Sequence, residues 1–329
     1  MIEITPWLWL CFIVFVLFFL ALDLGVFHRR AHVVRVPEAV AWSAFWVALA
    51  MLFAAALFFC RTRAEAAQFT TGYLIEVSLS LDNILVMAVI FAYFRVPLEW
   101  QHRLLFWGVL GALAMRGAMI AAGIALINRF EWILYVFGAF LVFAGIKMLV
   151  SKKQMQPEKN PVLRLAKRIF PISSNTDGWK LFTRLNGRLA LTPLALVLLL
   201  IETTDLIFAV DSVPAVFSIT RKAFIVFSSN VFAVLALRSM YFLLAGALGY
   251  FRCLKVGLSV VLVFFGVKML LAPHGPASRW FQIQISTLAS LIVVAAILSI
   301  SIALSLAMAG PAKNDPRLKT VKTDLDAND

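Results

Sequence analysis

Charged side chains are scarce in this sequence. Asp, Glu, Lys and Arg make up only 14% of the 329 residues, whereas 62% of the residues are hydrophobic. A soluble domain typically has about 25% charged and about 45–50% apolar residues. Together with a mean hydropathy of +0.92, this composition excludes an ordinary soluble protein and indicates an integral membrane protein.

Cysteine and histidine are also rare, which argues against thiolate and imidazole metal sites. The three cysteines, Cys11, Cys60 and Cys253, lie in or at the ends of apolar segments and show no Cys-x-x-Cys spacing. The four histidines all lie in predicted loops. We therefore expect neither a disulfide framework nor a zinc–thiolate site, and we interpret the cysteines as small packing residues.

Long apolar runs are what the sequence has in abundance. A run of about 17–25 apolar residues is enough to cross a bilayer, and nine runs of that length or more fall at 7–27, 39–60, 70–94, 104–127, 131–151, 190–219, 224–250, 253–272 and 281–309. The sequence predicts an all-α polytopic protein with about nine transmembrane helices. We expect one transmembrane domain over 1–310 and a disordered cytoplasmic tail over 311–329.

The distribution of Lys and Arg predicts the orientation. Most loop cations fall on one side, above all in the loop 152–189, and cytoplasmic loops carry such an excess. The N-terminus is then outside and the C-terminus cytoplasmic. The bias accounts for the net charge of +13, so we do not expect nucleic acid as a partner. Residues 162–170 could form a basic amphipathic helix on anionic lipid; a solvated linker is the alternative.

Two segments, about 70–151 and 190–272, carry the same ordered features. Each has an acid, an Asp six residues later with a polar neighbour, an intramembrane Arg, and a Gly-x-Lys-Met-Leu ending. The matching pairs are Glu76 and Asp205, Asp82 and Asp211, Asn83 and Ser212, Arg116 and Arg238, and Lys147 and Lys268. Because each unit has three helices, the second enters the bilayer from the opposite side. The pattern therefore predicts an inverted repeat, with a site near the midplane.

Five carboxylates interrupt the apolar segments of these units. They are Glu76, Asp82, Glu202, Asp205 and Asp211. Each charged side chain at the centre of a transmembrane helix costs roughly 2.5–3.5 kcal/mol, so such residues usually mark a functional site. With Asn83 and Ser212 as polar partners, the set offers only oxygen ligands. Oxygen ligands suit hard divalent ions such as Mn²⁺, Ca²⁺ or Mg²⁺.

Helix geometry places a condition on this site. Acids six residues apart lie about 240° apart around a straight helix, so we expect each pair to converge through a break in its helix. Pro214 supplies a reason for such a break in the second unit. Arg116 and Arg238 could neutralise or gate the site, or could form structural ion pairs. Asp23, near the end of the first helix, is a vestibule or cap-like candidate.

The residues identified so far resemble those of the TerC family, the tellurium-resistance-associated membrane proteins that include Alx transporters. Three stretches carry the resemblance: 21–40, 76–91 and 200–220. It implies a manganese-exporting transporter of the bacterial inner membrane. By position, it implies a metal site built from Glu76, Asp82, Glu202, Asp205 and Asp211, with Asn83 and Ser212 as partners.

Three functions are compatible with these residues. The first is a secondary exporter of Mn²⁺, with Ca²⁺ as the alternative ion, driven by protons or membrane potential, since no Walker or P-type sequence indicates the use of ATP. The second is a scaffold that assists insertion or metal loading of other proteins. The third is an intramembrane aspartyl protease, which the absence of a Gly-x-Gly-Asp sequence disfavours. We expect no enzymatic activity and no resident cofactor, and the sequence does not fix the oligomeric state.

Overall fold

The computed structural model describes residues 6–22, 36–150, 161–172, 180–185, 188–244, 254–272, 282–283 and 285–308. This part of the chain forms ten helices: α1 (Pro6–Leu22), α2 (Val36–Cys60), α3 (Arg63–Tyr93), α4 (Leu98–Arg129), α5 (Ile133–Val150), α6 (Pro161–Ile169), α7 (Pro193–Phe217), α8 (Ala223–Leu244), α9 (Leu254–Leu271) and α10 (Thr287–Met308). By length and composition, seven of the described helices could cross a membrane: α2, α3, α4, α5, α7, α8 and α10. The predicted all-α polytopic membrane fold is confirmed. Asp23, Cys253 and the tail 311–329 lie outside the described residues.

The connection between the two units contains more structure than a linker. The short helix α6 forms where an amphipathic helix was predicted, with Leu163 buried and Arg164 and Arg168 exposed. An antiparallel hairpin follows, made of β1 (Phe182–Leu185) and β2 (Arg188–Leu191). The sequence analysis did not predict this hairpin, because a pair of four-residue strands has little periodicity to recognise.

Helices α3, α7 and α8 form the interior of the molecule. They are the most buried of the long helices, whereas α2, α4, α5 and α10 leave most of their surface outward. Local sequence fixes where α3 and α7 begin. The Thr62 hydroxyl accepts a hydrogen bond from the Glu65 N–H, and the Thr192 hydroxyl accepts one from the Ala195 N–H, which are the bonds of helix N-caps.

The two acid-bearing helices, α3 and α7, run antiparallel to each other. Gly72 of α3 lies against Val216 of α7, and Asn83 of α3 contacts Asp205 of α7. Residue numbers therefore rise along α3 as they fall along the facing stretch of α7. This register brings the middle of each helix to the same depth.

The predicted breaks in these helices are wrong. Helix α3 is continuous from Arg63 to Tyr93, and α7 is continuous through Pro214. Pro214 lies only three residues before the end of α7, so the hydrogen bond that it cannot donate is lost in the last turn. Neighbouring helices stabilise a proline in a transmembrane helix.

Helices α5 and α9 approach each other through small residues. A Cβ built on Gly138 would lie 3.0 Å from the Gly266 carbonyl oxygen, and one built on Gly145 would lie 2.8 Å from the Ser259 carbonyl oxygen. Under the repeat alignment, Gly138 matches Ser259 and Gly145 matches Gly266. Swapping the two units therefore converts the Gly138–Gly266 contact into the Gly145–Ser259 contact.

We predict that Gly138→Leu destabilises the protein by about 1–3 kcal/mol, because the new side chain would overpack the α5–α9 contact. Helix propensity alone would favour leucine over glycine, so a loss must come from packing. Thermal unfolding in detergent measures the change. The matched control is Ala139→Leu, since Ala139 is the exposed neighbour on the same helix. Equal melting temperatures for the two variants would contradict the prediction.

Candidate functional site

Arg116 of α4 is the centre of the candidate site. Its side chain is 1% exposed. Its Nη1 donates to Glu76 Oε2 of α3 at 2.6 Å, and its Nη2 and Nε donate to the two carboxylate oxygens of Asp205 on α7 at 3.1 and 3.2 Å. The planar guanidinium therefore binds one carboxylate through two parallel bonds and a second through one, which is a geometry that lysine cannot reproduce.

Asn83 completes the cluster from α3. Its Nδ2 donates to Asp205 Oδ1 at 3.2 Å. Glu76, Asn83 and Asp205 are only 1%, 2% and 3% exposed, so the cluster lies inside the protein at mid-helix. The cluster thus joins two acids to one guanidinium, so it has one acid more than it has cations.

Several buried oxygen atoms around the cluster have no protein hydrogen-bond partner. Glu76 Oε1 and Asn83 Oδ1 belong to the cluster itself, and the hydroxyls of Ser80, Thr204 and Ser212 lie on the same two helices. A buried polar group without a partner costs about 1–3 kcal/mol, and native proteins contain few of them. These oxygens on α3 and α7 are acceptors that a bound ion or water could use.

Glu202 lies one helical turn before Asp205 on α7 and is half-buried. Its carboxylate packs directly against Gly111 of α4, where a Cβ would overlap it. Gly111 therefore provides the space that the Glu202 carboxylate occupies. The repeat alignment places Tyr73 at the position of Glu202, so the two units differ here.

Asp82 and Asp211 do not join the cluster. Both are half-buried, and each lies six residues, or about 9 Å of helix axis, beyond Glu76 or Asp205. Because the helices are unbroken, these acids point around the helix and away from the pair. Asp82 interacts electrostatically with Lys255 and Asp211 with Lys147. Within the described ranges, no three Asp, Glu, His or Cys side chains are grouped closely enough to hold a metal ion.

The structure thus joins only part of the predicted residue set. Glu76 and Asp205 meet at Arg116, and Asn83 bonds Asp205. Glu202 lies one turn before Asp205 on α7, whereas Ser212 is buried about two turns beyond it. Arg238, the repeat partner of Arg116, is buried in α8. Bringing Asp82 and Asp211 to the same ion would require a rotation or break that the helices do not show.

One buried acid was missed in the sequence. Glu65, 2% exposed near the start of α3, accepts hydrogen bonds from Arg61 and, at 2.6 Å, from Lys222 Nζ. This ion cluster ties α3 to the connection between α7 and α8. The spacing of four between Arg61 and Glu65 could have indicated their pairing, but the contact with Lys222 comes only from tertiary structure.

Comparison with known proteins identifies the family. The model of the integral membrane protein TerC family matches residues 61–310, which include every described residue of the site. The chain belongs to the TerC family. It is 50% identical over 303 residues to the membrane protein STKORF319 of Myxococcus xanthus, with 92% of each chain covered.

Other TerC-like relatives are more distant in sequence. Alx of Escherichia coli strain K12, which its name describes as a candidate membrane-bound redox modulator, is 47% identical over 277 residues, covering 81% of this chain and 86% of Alx. A membrane protein of Rickettsia bellii is 37% identical over 262 residues, covering 79% and 87% of the two chains. No solved structure matches the chain.

We predict that Arg116→Gln lowers the unfolding free energy by about 3–5 kcal/mol, because it leaves two buried carboxylates without their cation. Thermal unfolding of the detergent-purified protein measures the effect. Arg129→Gln is the control, because it removes an exposed arginine from the end of the same helix. Adding Asp205→Asn to the Arg116→Gln chain should restore part of the loss. Equal stability of the two single variants would show that the cluster does not stabilise the fold.

Proposed function

We propose that the protein is a secondary transporter that exports divalent metal cations, with Mn²⁺ as the main substrate, across the bacterial inner membrane. The observation that carries the proposal is the meeting of Glu76 and Asp205, one acid from each unit, in a buried cluster with oxygen acceptors left over. Buried acids inside transmembrane helices typically mark ion pathways.

The chemistry of the cluster favours a hard divalent ion. Its donors are carboxylate, amide and hydroxyl oxygens, which suit Mn²⁺, Ca²⁺ and Mg²⁺ better than softer metals. A divalent cation would neutralise the charges of Glu76 and Asp205 together. Asn83 Oδ1 and Glu76 Oε1 are two acceptors of the cluster that no protein donor occupies.

The arrangement of helices supports alternating access through an inverted repeat. Helices α3 and α7 run antiparallel at the cluster, and the α5–α9 contacts exchange with the units. An axis in the membrane plane that relates α3–α5 to α7–α9 would produce both relations. Transporters of this architecture bind substrate at the midplane, where the repeats meet.

Proton exchange is the natural source of drive for such a site. Carboxylates must be deprotonated to bind a metal, so loading releases protons and proton binding releases the ion. Membrane potential could contribute, since moving charge across it changes the free energy. On this proposal the protein has no enzymatic activity and no resident cofactor.

A flux measurement tests the proposal. In proteoliposomes that contain only this protein, we expect Mn²⁺ uptake or release that Glu76→Gln and Asp205→Asn reduce at least about tenfold, since each removes a charged ligand worth more than 1.4 kcal/mol. Glu99→Gln, which neutralises an exposed acid of α4, should transport normally. Parallel assays with Ca²⁺ would establish selectivity.

The same assay separates transport from the scaffold function. A scaffold would move no ion in liposomes that lack other proteins. Full flux from Glu76→Gln would instead leave transport in place but remove the buried carboxylate pair as its site.

The name of the Alx relatives raises a redox role, which the cysteines allow us to test. Cys11 and Cys60, on α1 and α2, are free and exposed. We predict that a variant with Cys11, Cys60 and Cys253 replaced by Ser keeps Mn²⁺ flux within about twofold of wild type, because the carboxylate site uses no thiolate. Ser43→Ala, a substitution on α2 that removes no thiol, is the control. Loss of flux in a folded cysteine-free protein, with normal flux in the control, would point to thiol chemistry instead.

A further inference from the structure

Arg116 occupies the carboxylates that a metal ion would use. Its three nitrogens each donate one hydrogen bond, to Glu76 Oε2 and to both Asp205 oxygens. Only Glu76 Oε1 and Asn83 Oδ1 remain as unpartnered acceptors in the cluster. An ion bound by the acidic pair must therefore share these oxygens with the guanidinium or replace it.

Charge excludes sharing. The ionised pair carries two negative charges, which a divalent ion neutralises by itself. With the guanidinium also in place, the buried site would hold an excess positive charge, and two cations a few ångströms apart repel strongly where water is excluded. Metal binding and the present position of Arg116 are therefore in competition.

Glu202 offers the displaced guanidinium a second position. It lies three residues before Asp205 on the same face of α7, and its carboxylate packs against α4, the helix that carries Arg116. Helices α4 and α7 run in the same direction, since Gly108 lies against Ile201 and Arg116 against Asp205. The move from Asp205 to Glu202 is about one helical turn, or roughly 5 Å along the axis, which lies within the range of a long arginine side chain.

We propose that Arg116 is a tethered counter-cation of the transport site. It holds the Glu76–Asp205 pair when no metal ion is bound, and it moves to Glu202 when a divalent ion takes the pair, given the transport function proposed above. The guanidinium thereby hydrogen-bonds both buried acids in the unloaded state, and Glu202 binds the guanidinium in the loaded state.

A double-mutant cycle on the full-length protein in detergent tests this mechanism. Calorimetry measures the Mn²⁺ affinity at one fixed pH for wild type, Arg116→Gln, Glu202→Gln, the double variant and the control Arg129→Gln. We expect Arg116→Gln to bind Mn²⁺ about tenfold more tightly, because the internal competitor is gone. Glu202→Gln should weaken binding severalfold in the wild-type background and have no effect when Arg116 is already Gln.

Three results would overturn the mechanism. Arg116→Gln could bind Mn²⁺ no more tightly than wild type, which would show that the arginine does not compete. Glu202→Gln could weaken binding equally in both backgrounds, which would make Glu202 a direct ligand rather than the acceptor of Arg116. If Arg116→Gln does not fold, Arg116→Lys replaces it. Lysine has one compact ammonium in place of the forked guanidinium, so it should compete less with Mn²⁺ for the two acids. Wild-type Mn²⁺ affinity in the Arg116→Lys variant is therefore the third result that would overturn the mechanism.

The outcome for wild type separates this mechanism from the function on which it depends. Wild-type protein that binds no Mn²⁺ would remove the proposed transport function and the mechanism together. Wild-type binding with no gain in the Arg116 variants would remove the counter-cation alone and leave the transport site in place.

Discussion

The ion cluster of Arg116, Glu76 and Asp205 constrains the helices around it. Each of the three side chains is almost wholly buried, and removing one partner of a buried ion pair is strongly destabilising. The cluster therefore fixes α3, α4 and α7 relative to one another inside the protein. Close packing follows from the same constraint. A Cβ built on Gly108 would lie 3.0 Å from the Ile201 side chain, and Gly111 lies against Glu202. Larger residues at these positions would move α4 away from α7 and lengthen the hydrogen bonds between Arg116 and Asp205.

The antiparallel register of α3 and α7 gives the remaining acids a common depth. Two contacts, Gly72 with Val216 and Asn83 with Asp205, place Asp82 near the level of Asp205 and Asp211 near the level of Glu76. All four acids therefore lie within a band of about six residues, or roughly 9 Å. Side-chain direction separates them, because unbroken helices turn Asp82 and Asp211 away from the central pair. A common depth therefore does not bring the four carboxylates together. Of the four, only Glu76 and Asp205, which Arg116 binds, meet in one cluster.

The sequence was sufficient for the features that depend on composition and spacing. Nine apolar runs predicted the long helices, and the repeated acid, arginine and Gly-x-Lys-Met-Leu order indicated that Glu76 and Asp205 occupy matching positions. The contacts of Arg116 could not be predicted in the same way. Position in the repeat treats Arg116 and Arg238 alike, and only three-dimensional packing shows that Arg116 reaches both acids. The helix break was predicted wrongly because Pro214 was judged by its missing N–H alone. The missing N–H removes one bond, to the Val210 carbonyl, and α7 continues for only three residues beyond the proline.

The difference between the two units follows from one matched pair of residues. On α7, Glu202 occupies the position that Tyr73 holds on α3. On α4, Gly111 occupies the position that Ala233 holds on α8, as counted from Arg116 and Arg238. A Cβ at Gly111 would overlap the Glu202 carboxylate, so the acid and the glycine depend on each other. Neither occurs in the other half of the repeat. A carboxylate one turn from Asp205 is thus available on the side of Arg116, whereas the matching position on α3 is a buried tyrosine, Tyr73. The two arginines occupy matching positions in the sequence, and this local asymmetry places a second acid one turn from the Asp205 carboxylate that Arg116 binds.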